Sequence, residues 1–507
     1  MNIHQIQTLG QLKAAGYRPK SVKEELRENL ILKLKNKEKM FEGIIGYEET
    51  VIPDLQRAIL SRHNLILLGL RGQAKTKIAR MMTDLLDEYI PVVQGSELND
   101  DPLQPLSRFA KDLIAEKGDD TPIVWLHREE RYAEKLATPD VSVADLIGDV
   151  DPIKAATLKL PYSDERVIHY GIIPRSHRCI FVINELPDLQ ARIQVSLFNI
   201  LQEGDIQIRG FKLRLPLDIQ FVFTANPEDY THRGSIVTPL KDRIESQILT
   251  HYPKSIEQSL KITQQEAKIL AAQEKPITIS PLCAMMIEEI AQEARTSEYV
   301  DAKSGVSARL TISAYQNLYS AAERRMLING ESSTYSRISD LMGVIPAITG
   351  KIELVYEGER EGAAMVAQRL ISKALRRVFA THFPNPEKLK RSSKEHPYKS
   401  ITDWFGKGNN LDLVYDAEDN AYQKALNTVP NLANLVKQYQ PSAKDAEKYL
   451  WMEFVLHGLA EHSLISKQGL TSGSKFQDIL SGMFSSSQHD DDEEEDWGGY
   501  YEDKKKK

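Results

Sequence analysis

The stretch "LLGLRGQAKTKIARMM", residues 67–82, constrains what this chain can fold into more than any other. An apolar run, Asn64-Leu65-Ile66-Leu67-Leu68, turns through Gly69 and Gly72 and reaches Lys75-Thr76 just where a helical pattern begins. Strand, glycine-bearing turn, Lys-Thr and helix, in that order, predict a phosphate-binding loop, the alternative being a strand followed by a chance Lys-Thr. Successive backbone N–H groups and a helix N-terminus converge on phosphate oxygens, the lysine adds mobile positive charge, and the hydroxyl reaches Mg²⁺. The residues so assigned are Gly69, Leu70, Arg71, Gly72, Gln73, Ala74, Lys75 and Thr76, with Thr76 also facing the metal. The loop departs from the pattern G-x-x-x-x-G-K-[ST] at Ala74, where glycine is usual. A Cβ there is costly only if the backbone needs a positive φ.

At 507 residues the chain is too long for one hydrophobic core. Residues 1–40 are charged and helix-permissive, with Leu26, Leu30 and Leu34 near helical spacing, and predict a leader helix that packs on the next domain. Over 41–255, strand-type runs alternate with helical segments. "LILLG", "PIVWLH", "CIFVIN" and "IQFVFTAN" are the strands, and the alternation predicts a mainly parallel α/β sheet flanked by helices. Residues 256–385 carry long helical patterns and predict an all-helical lid. A proline-rich, basic linker at 386–409 leads to a helical C-terminal segment at 410–465. The stretch 466–507 is rich in Ser and Gly, then carries "DDDEEED" and "KKKK", and predicts a disordered acidic tail.

Composition narrows the function. Hydrophobic residues make up 41% and charged residues 27% of the chain, and the mean hydropathy is -0.39. No apolar run reaches the roughly 18 residues of a bilayer span and the N-terminus lacks a signal-peptide centre, so a cytoplasmic protein with no membrane role is expected. Cys179 and Cys283 are too few for a zinc cluster and are expected as buried small residues. A net charge of -7 leaves no global basic footprint for nucleic acid.

Downstream of the loop, the apolar run Cys179–Ile183 ends in Asn184-Glu185. A carboxylate just beyond a buried strand, facing a triphosphate, can orient and polarise an attacking water, which makes Glu185 the candidate catalytic base. Alternatively it is a helix N-cap or surface acid. The run "IQFVFTAN" ends in Asn226, whose amide can sense a γ-phosphate or hold the water, or can serve as an ordinary turn residue before Pro227.

Over about residues 41–380 the chain resembles the AAA+ ATPases of the MoxR and magnesium-chelatase I-subunit branch. The matching stretches, in family order, are "IIGYEE", the phosphate loop, "LATPDVSVADLIGDVDPIKA", "YGIIPRSHRCIFVINELPDL", "FVFTANPEDY", "TPLKDRI" and "GVSARLTISAY". The resemblance implies a P-loop AAA+ sheet followed by a helical lid, an insert at "LATPD…YGIIPRSH", and a hairpin at "IQIRGFKLRLP" before the Asn226 strand. It makes Arg243 the arginine finger offered to a neighbouring subunit and Arg309 the second sensor on the lid, where bland readings are a surface ion pair and a solvated helix-terminal arginine. Ala-Lys-Ser or Ala-Lys-Thr also stands in this loop in minichromosome-maintenance helicases and some MoxR relatives, so Ala74 does not mark a dead site. Asn184 stands where the family has a Mg²⁺-holding aspartate. Its amide keeps an acceptor oxygen but loses the charge, which predicts weaker metal retention and slower turnover. The implied protein is an ATP hydrolase using ATP and Mg²⁺. It assembles as a homo-oligomeric ring, commonly a hexamer, works with a von Willebrand A domain protein, and remodels or activates a protein client that the sequence does not name. Alternatives are a magnesium-chelatase motor subunit acting on a porphyrin, and a transcription or DNA-remodelling ATPase.

Overall fold

Four runs of consecutive apolar residues cannot all be satisfied at a solvent-facing sheet surface, because each strand turns alternate side chains to opposite faces. In the computed structural model, three of them stand in the middle of one five-stranded sheet covered on both faces. The structure describes residues 5–479 apart from 163, 209–213, 228–234, 303, 390–395, 444 and 471. Across the sheet the strands run Ser246–Leu249, Leu65–Leu68, Ile219–Ala225, Cys179–Asn184 and Tyr132–Leu136. Every neighbouring pair is parallel, in registers such as Leu65↔Val222, Leu65↔Ser246, Ile219↔Cys179 and Tyr132↔Ile180. Counted along the chain, the spatial order is fifth, first, fourth, third, second.

Alternation divides the core in two. Ile66, Leu68, Phe181, Ile183, Phe221 and Phe223 face one way, onto Ile193, Leu197 and Ile200 of the helices that follow Glu185. Leu65, Leu67, Ile180, Val182, Val222 and Ile248 face the other, onto Val51, Leu55 and Ile59 of helix Val51–Leu60 and Ile78 of helix Lys75–Met81. The leader is part of this second layer. Its helix Val22–Lys35 begins with a reciprocal Ser21/Glu24 capping box and buries Val22, Leu26 and Leu30, whereas Leu34 faces solvent. Glu25 and Arg131, 3% and 1% exposed, pair in a two-point ion pair at 2.6 and 2.7 Å, and Arg131 Nε also donates to the Arg178 carbonyl.

Several expectations are corrected. Ile123–His127, expected in the central sheet, pairs antiparallel with Tyr89–Val93 in a separate ribbon. Tyr132–Leu136 takes its place as an edge strand, and its partly exposed pattern is why "YAEKL" reads as no strand at all. The hairpin expected at "IQIRGFKLRLP" pairs Asp205–Gln207 with Arg214–Pro216, and its tip lies outside the described residues. Within the expected linker, Lys399–Gly406 is a helix that buries Ile401 and Phe405. Leu411–Val414, expected helical, and Ser466–Leu470 and Gly473–Gln477, expected disordered, form one antiparallel three-stranded sheet. Phe476 is fully buried there, and that burial offsets the ordering cost that the Ser/Gly-rich composition suggested was unmet. The acidic block itself lies outside the described residues.

The chain divides into two units, Met1–Pro253 and Lys254–Lys507. In the second, the lid helices and the C-terminal segment share one core, from Ala267 through Phe379 to Phe476. Its polar centre is Glu453, fully buried, which accepts from Ile338 N, Ser339 N and the Tyr422 hydroxyl at 2.9, 3.0 and 2.8 Å. Among the described residues, no helix is long and apolar enough to cross a membrane. Cys179 and Cys283 are buried and unbridged.

Candidate functional site

In an open parallel sheet, the carboxyl ends of the strands form one edge, and ligands bind in the crevice outside it. Leu65–Leu68 leads into the phosphate loop, Cys179–Asn184 into Glu185, and Ile219–Ala225 into Asn226. These three strands are immediate neighbours, with Leu68 opposite Ala225 and Phe223 opposite Ile183. Residues spread over 158 positions, from Leu68 to Asn226, are thereby brought to one edge.

The loop is held from below. Gly69 N donates to the Ala225 carbonyl at 3.2 Å, and Thr250 N donates to the Leu68 carbonyl at 2.7 Å. Thr250 Oγ1 donates to Gln73 Oε1 at 2.6 Å, so the side chain of a loop residue is tied to the segment after the edge strand. A Cβ on Gly69 would lie 1.9 Å from Thr250 Oγ1 and 2.1 Å from Gln73 Oε1. Gly69 is therefore required by close approach, whereas Gly72 is required by its φ of +74°. Tyr47, from the "IIGYEE" stretch, reaches over with its hydroxyl 3.2 Å from the Gln73 carbonyl and 2.8 Å from that of His251. Burial pushes the Tyr47 phenol up to about 12, so it acts there as a neutral donor.

Ala74 has φ +57° and ψ +16°, a left-handed conformation. The backbone at this position does need a positive φ, and the chain meets the need with a residue that has a Cβ, at a cost of about 1–2 kcal/mol relative to its ordinary conformation. Lys75, 7% exposed, turns its Nζ back onto the loop, donating to the carbonyls of Gly69 and Leu70, the latter at 3.0 Å.

Thr76, Asn184, Thr224 and Glu185 form a hydrogen-bonded chain. Thr76 Oγ1 and Thr224 Oγ1 both donate to Asn184 Oδ1, at 3.3 and 3.2 Å, and Glu185 N donates to Thr224 Oγ1 at 3.1 Å. Both lone pairs of the Asn184 oxygen are thus engaged. Its backbone carbonyl accepts from Ala137 N at 2.8 Å. Glu185 follows in a left-handed conformation, φ +55° and ψ +50°, which turns the chain out of the sheet into the short helix Leu186–Asp188. Asn226, 1% exposed, follows the neighbouring strand.

Arg243 caps helix Thr238–Asp242, donates to Gln202 Oε1 at 3.1 and 2.8 Å and to the Pro239 carbonyl at 2.7 Å, and lies 4.9 Å from the Phe198 ring centre. Among the described residues Arg243 makes no surface ion pair, and the nearby Glu245 accepts from Asn64 N. Arg309 belongs to the second unit, where it is the exposed second residue of helix Ala308–Ile328 and its N–H is capped by Ser307. Tyr47, Thr224 and Thr250 were not singled out from the sequence. Tyr47 and Thr224 lie inside stretches that were, but a hydroxyl in an apolar run carries no signal until its partners are known.

No family model matches the chain. Among solved structures, an ATPase candidate from Cytophaga hutchinsonii is similar at 18% identity over 72% of this chain and 98% of its own, with a TM-score of 0.29. NtrX from Brucella abortus in complex with ATP is similar at 13% identity over 57% of this chain and 52% of its own, with a TM-score of 0.35. The BchI–BchD complex of magnesium chelatase is similar at 17% identity over 63% of this chain and 97% of that one, with a TM-score of 0.32. The TM-scores are low, and the fold assignment rests on this chain's own strand order and loop. The first unit has the P-loop α/β fold expected of a AAA+ nucleotide-binding domain.

Proposed function

We propose that the chain is a AAA+ ATPase of the MoxR and magnesium-chelatase type, which couples ATP binding and hydrolysis in a ring to remodelling or activation of a partner protein, working together with a von Willebrand A domain protein. The observation that carries the reading is the convergence of the phosphate loop, Asn184-Glu185 and Asn226 on adjacent carboxyl strand ends. The donor set suits a nucleotide with its metal. Gly69 lets the Thr250 and Gln73 side chains close against the loop and hold it, Lys75 is a buried ammonium facing the loop interior, and Thr76 donates its proton to Asn184, which leaves its oxygen lone pairs for Mg²⁺. Thr76 is then the direct metal ligand of the pair, and Asn184 acts by orienting it. Bound Mg²⁺ neutralises phosphate charge. Residues 69–76 bind and orient the phosphates, Lys75 moves from the loop carbonyls to phosphate oxygens, Glu185 accepts the proton of the attacking water, and Asn226 holds that water in line. Arg243, half-buried on the Phe198 ring, serves the neighbouring subunit, and Arg309 responds to the γ-phosphate from the lid.

Lys75→Ala should abolish binding of labelled ATP, and a variant that binds as tightly as the parent removes the site assignment. Mixing Glu185→Gln with Arg243→Ala subunits should restore part of the activity at shared interfaces. No rescue at any ratio, with assembly verified, would argue against a site completed by a neighbour.

A further inference from the structure

Thr224 is 1% exposed in the fully buried strand Ile219–Ala225, between Phe223 and Ala225. A hydroxyl buried among such neighbours is costly unless it is hydrogen-bonded, and an apolar residue would serve the packing without that requirement. Here the hydroxyl is used twice. It accepts the Glu185 N–H at 3.1 Å and donates to Asn184 Oδ1 at 3.2 Å. The ladder between the two strands ends at Phe223↔Ile183, so Thr224 stands one residue beyond it, where Asn184-Glu185 leaves the sheet. Glu185 takes the left-handed conformation that residues with a Cβ disfavour, and its N–H is anchored by this one side chain.

We infer that Thr224 is a positioning residue for hydrolysis: its hydroxyl fixes the peptide that carries Glu185 and the rotamer of Asn184 together, so that the base and the group orienting Thr76 hold one geometry. The inference rests on the ATPase reading above. Because the phosphates are gripped by residues 69–76 and not by Thr224, losing the hydroxyl should slow turnover without weakening nucleotide binding.

The test compares Thr224→Val, which keeps the shape and removes the hydroxyl, with Thr224→Ser, which keeps the hydroxyl and removes a methyl. Labelled-ATP affinity and turnover at saturating ATP are measured for both and for the parent. Thr224→Val should lower turnover about tenfold or more with affinity within about threefold, the signature of an interaction that matters in the transition state and not in binding. Thr224→Ser should stay within about threefold of the parent in both. Unchanged turnover in Thr224→Val, an affinity loss that matches its turnover loss, or Thr224→Ser as slow as Thr224→Val would each overturn the inference. A parent that binds ATP and hydrolyses none overturns the ATPase reading and the inference with it, whereas an active parent with an equally active Thr224→Val overturns the inference alone.

Discussion

Two residues with side chains, Ala74 and Glu185, sit at positive φ on either side of the site. At Ala74 the chain uses alanine where glycine would be unstrained. Relief of about 1–2 kcal/mol of strain, less about 0.4–1 kcal/mol for the extra freedom glycine has when unfolded, leaves Ala74→Gly more stable by roughly 0–1.6 kcal/mol, about 0.8 at the midpoints. Thermal unfolding should show a small rise with labelled-ATP binding retained, and a fall would mean that the Cβ makes contacts worth more than the strain. Asn184 raises a different question, because its oxygen already accepts from two hydroxyls. In Asn184→Asp one carboxylate oxygen can keep both bonds while the other replaces the amide nitrogen and adds a negative charge near the metal. At an effective dielectric near 20, a unit charge several ångströms away is worth about a few kcal/mol before desolvation is subtracted. The Mg²⁺ concentration for half-maximal ATPase rate should therefore fall at saturating ATP, and an unchanged midpoint would place residue 184 outside the metal's reach.

The leader helix Val22–Lys35 is bound into the first unit by more than its apolar face. Asp218 Oδ2 accepts from Val22 N at 2.7 Å at the helix start, and Glu25 meets Arg131 in the core. Arg131 opens the edge region that leads into Tyr132–Leu136, so the leader supports the strand next to the Asn184 strand. Removing one member of a buried pair leaves an uncompensated charge, which costs about 3–5 kcal/mol. Glu25→Ala should lower the urea midpoint of the first unit accordingly, and Glu25→Ala combined with Arg131→Met should recover much of the loss. A single variant within about 0.5 kcal/mol of the parent would mean that water reaches Arg131. The helical periodicity of this element was legible in the sequence. Its ion pair was not, because the partners are 106 positions apart.

At the scale of the molecule, acid sensitivity depends on groups that the fold holds neutral. His177 is buried, its Nδ1 accepts from Asp218 N at 3.0 Å, and burial, aided by Arg178, lowers its pKa from 6.5 to about 4. A depressed folded pKa contributes stability that is fully present above the unfolded value and is lost as pH falls through the folded one, here between about 6.5 and 4. The loss from this group is on the order of 3 kcal/mol. Asp218 acts in the opposite sense, since burial raises its carboxyl to about 6 and its protonation in the native state adds stability as pH falls. Hydrogen exchange in the Cys179–Asn184 strand, corrected for intrinsic rates, should show His177→Gln gaining on the parent as pH drops from 7 to 4. A constant difference across that range would show that His177 titrates normally.

The sequence by itself determined the phosphate loop, the three inner strands and the residues at their carboxyl ends. These features are written in local turn chemistry and in unbroken apolar runs, which are the same wherever the chain places them. The tertiary structure decided which segment completes the sheet. Tyr132–Leu136 is an edge strand with one side half in solvent, so its residues lack the apolar run that marks an inner strand, while Ile123–His127 has such a run and spends it on a separate ribbon. It also decided that Ala74 is strained, that Gly473–Gln477 pairs with both Ser466–Leu470 and Leu411–Val414, and that the Thr224 hydroxyl joins Asn184 to Glu185. The strand pairing and the Thr224 contacts depend on partners far along the chain, and a hydrogen bond or a buried face acquires its meaning only when that partner arrives.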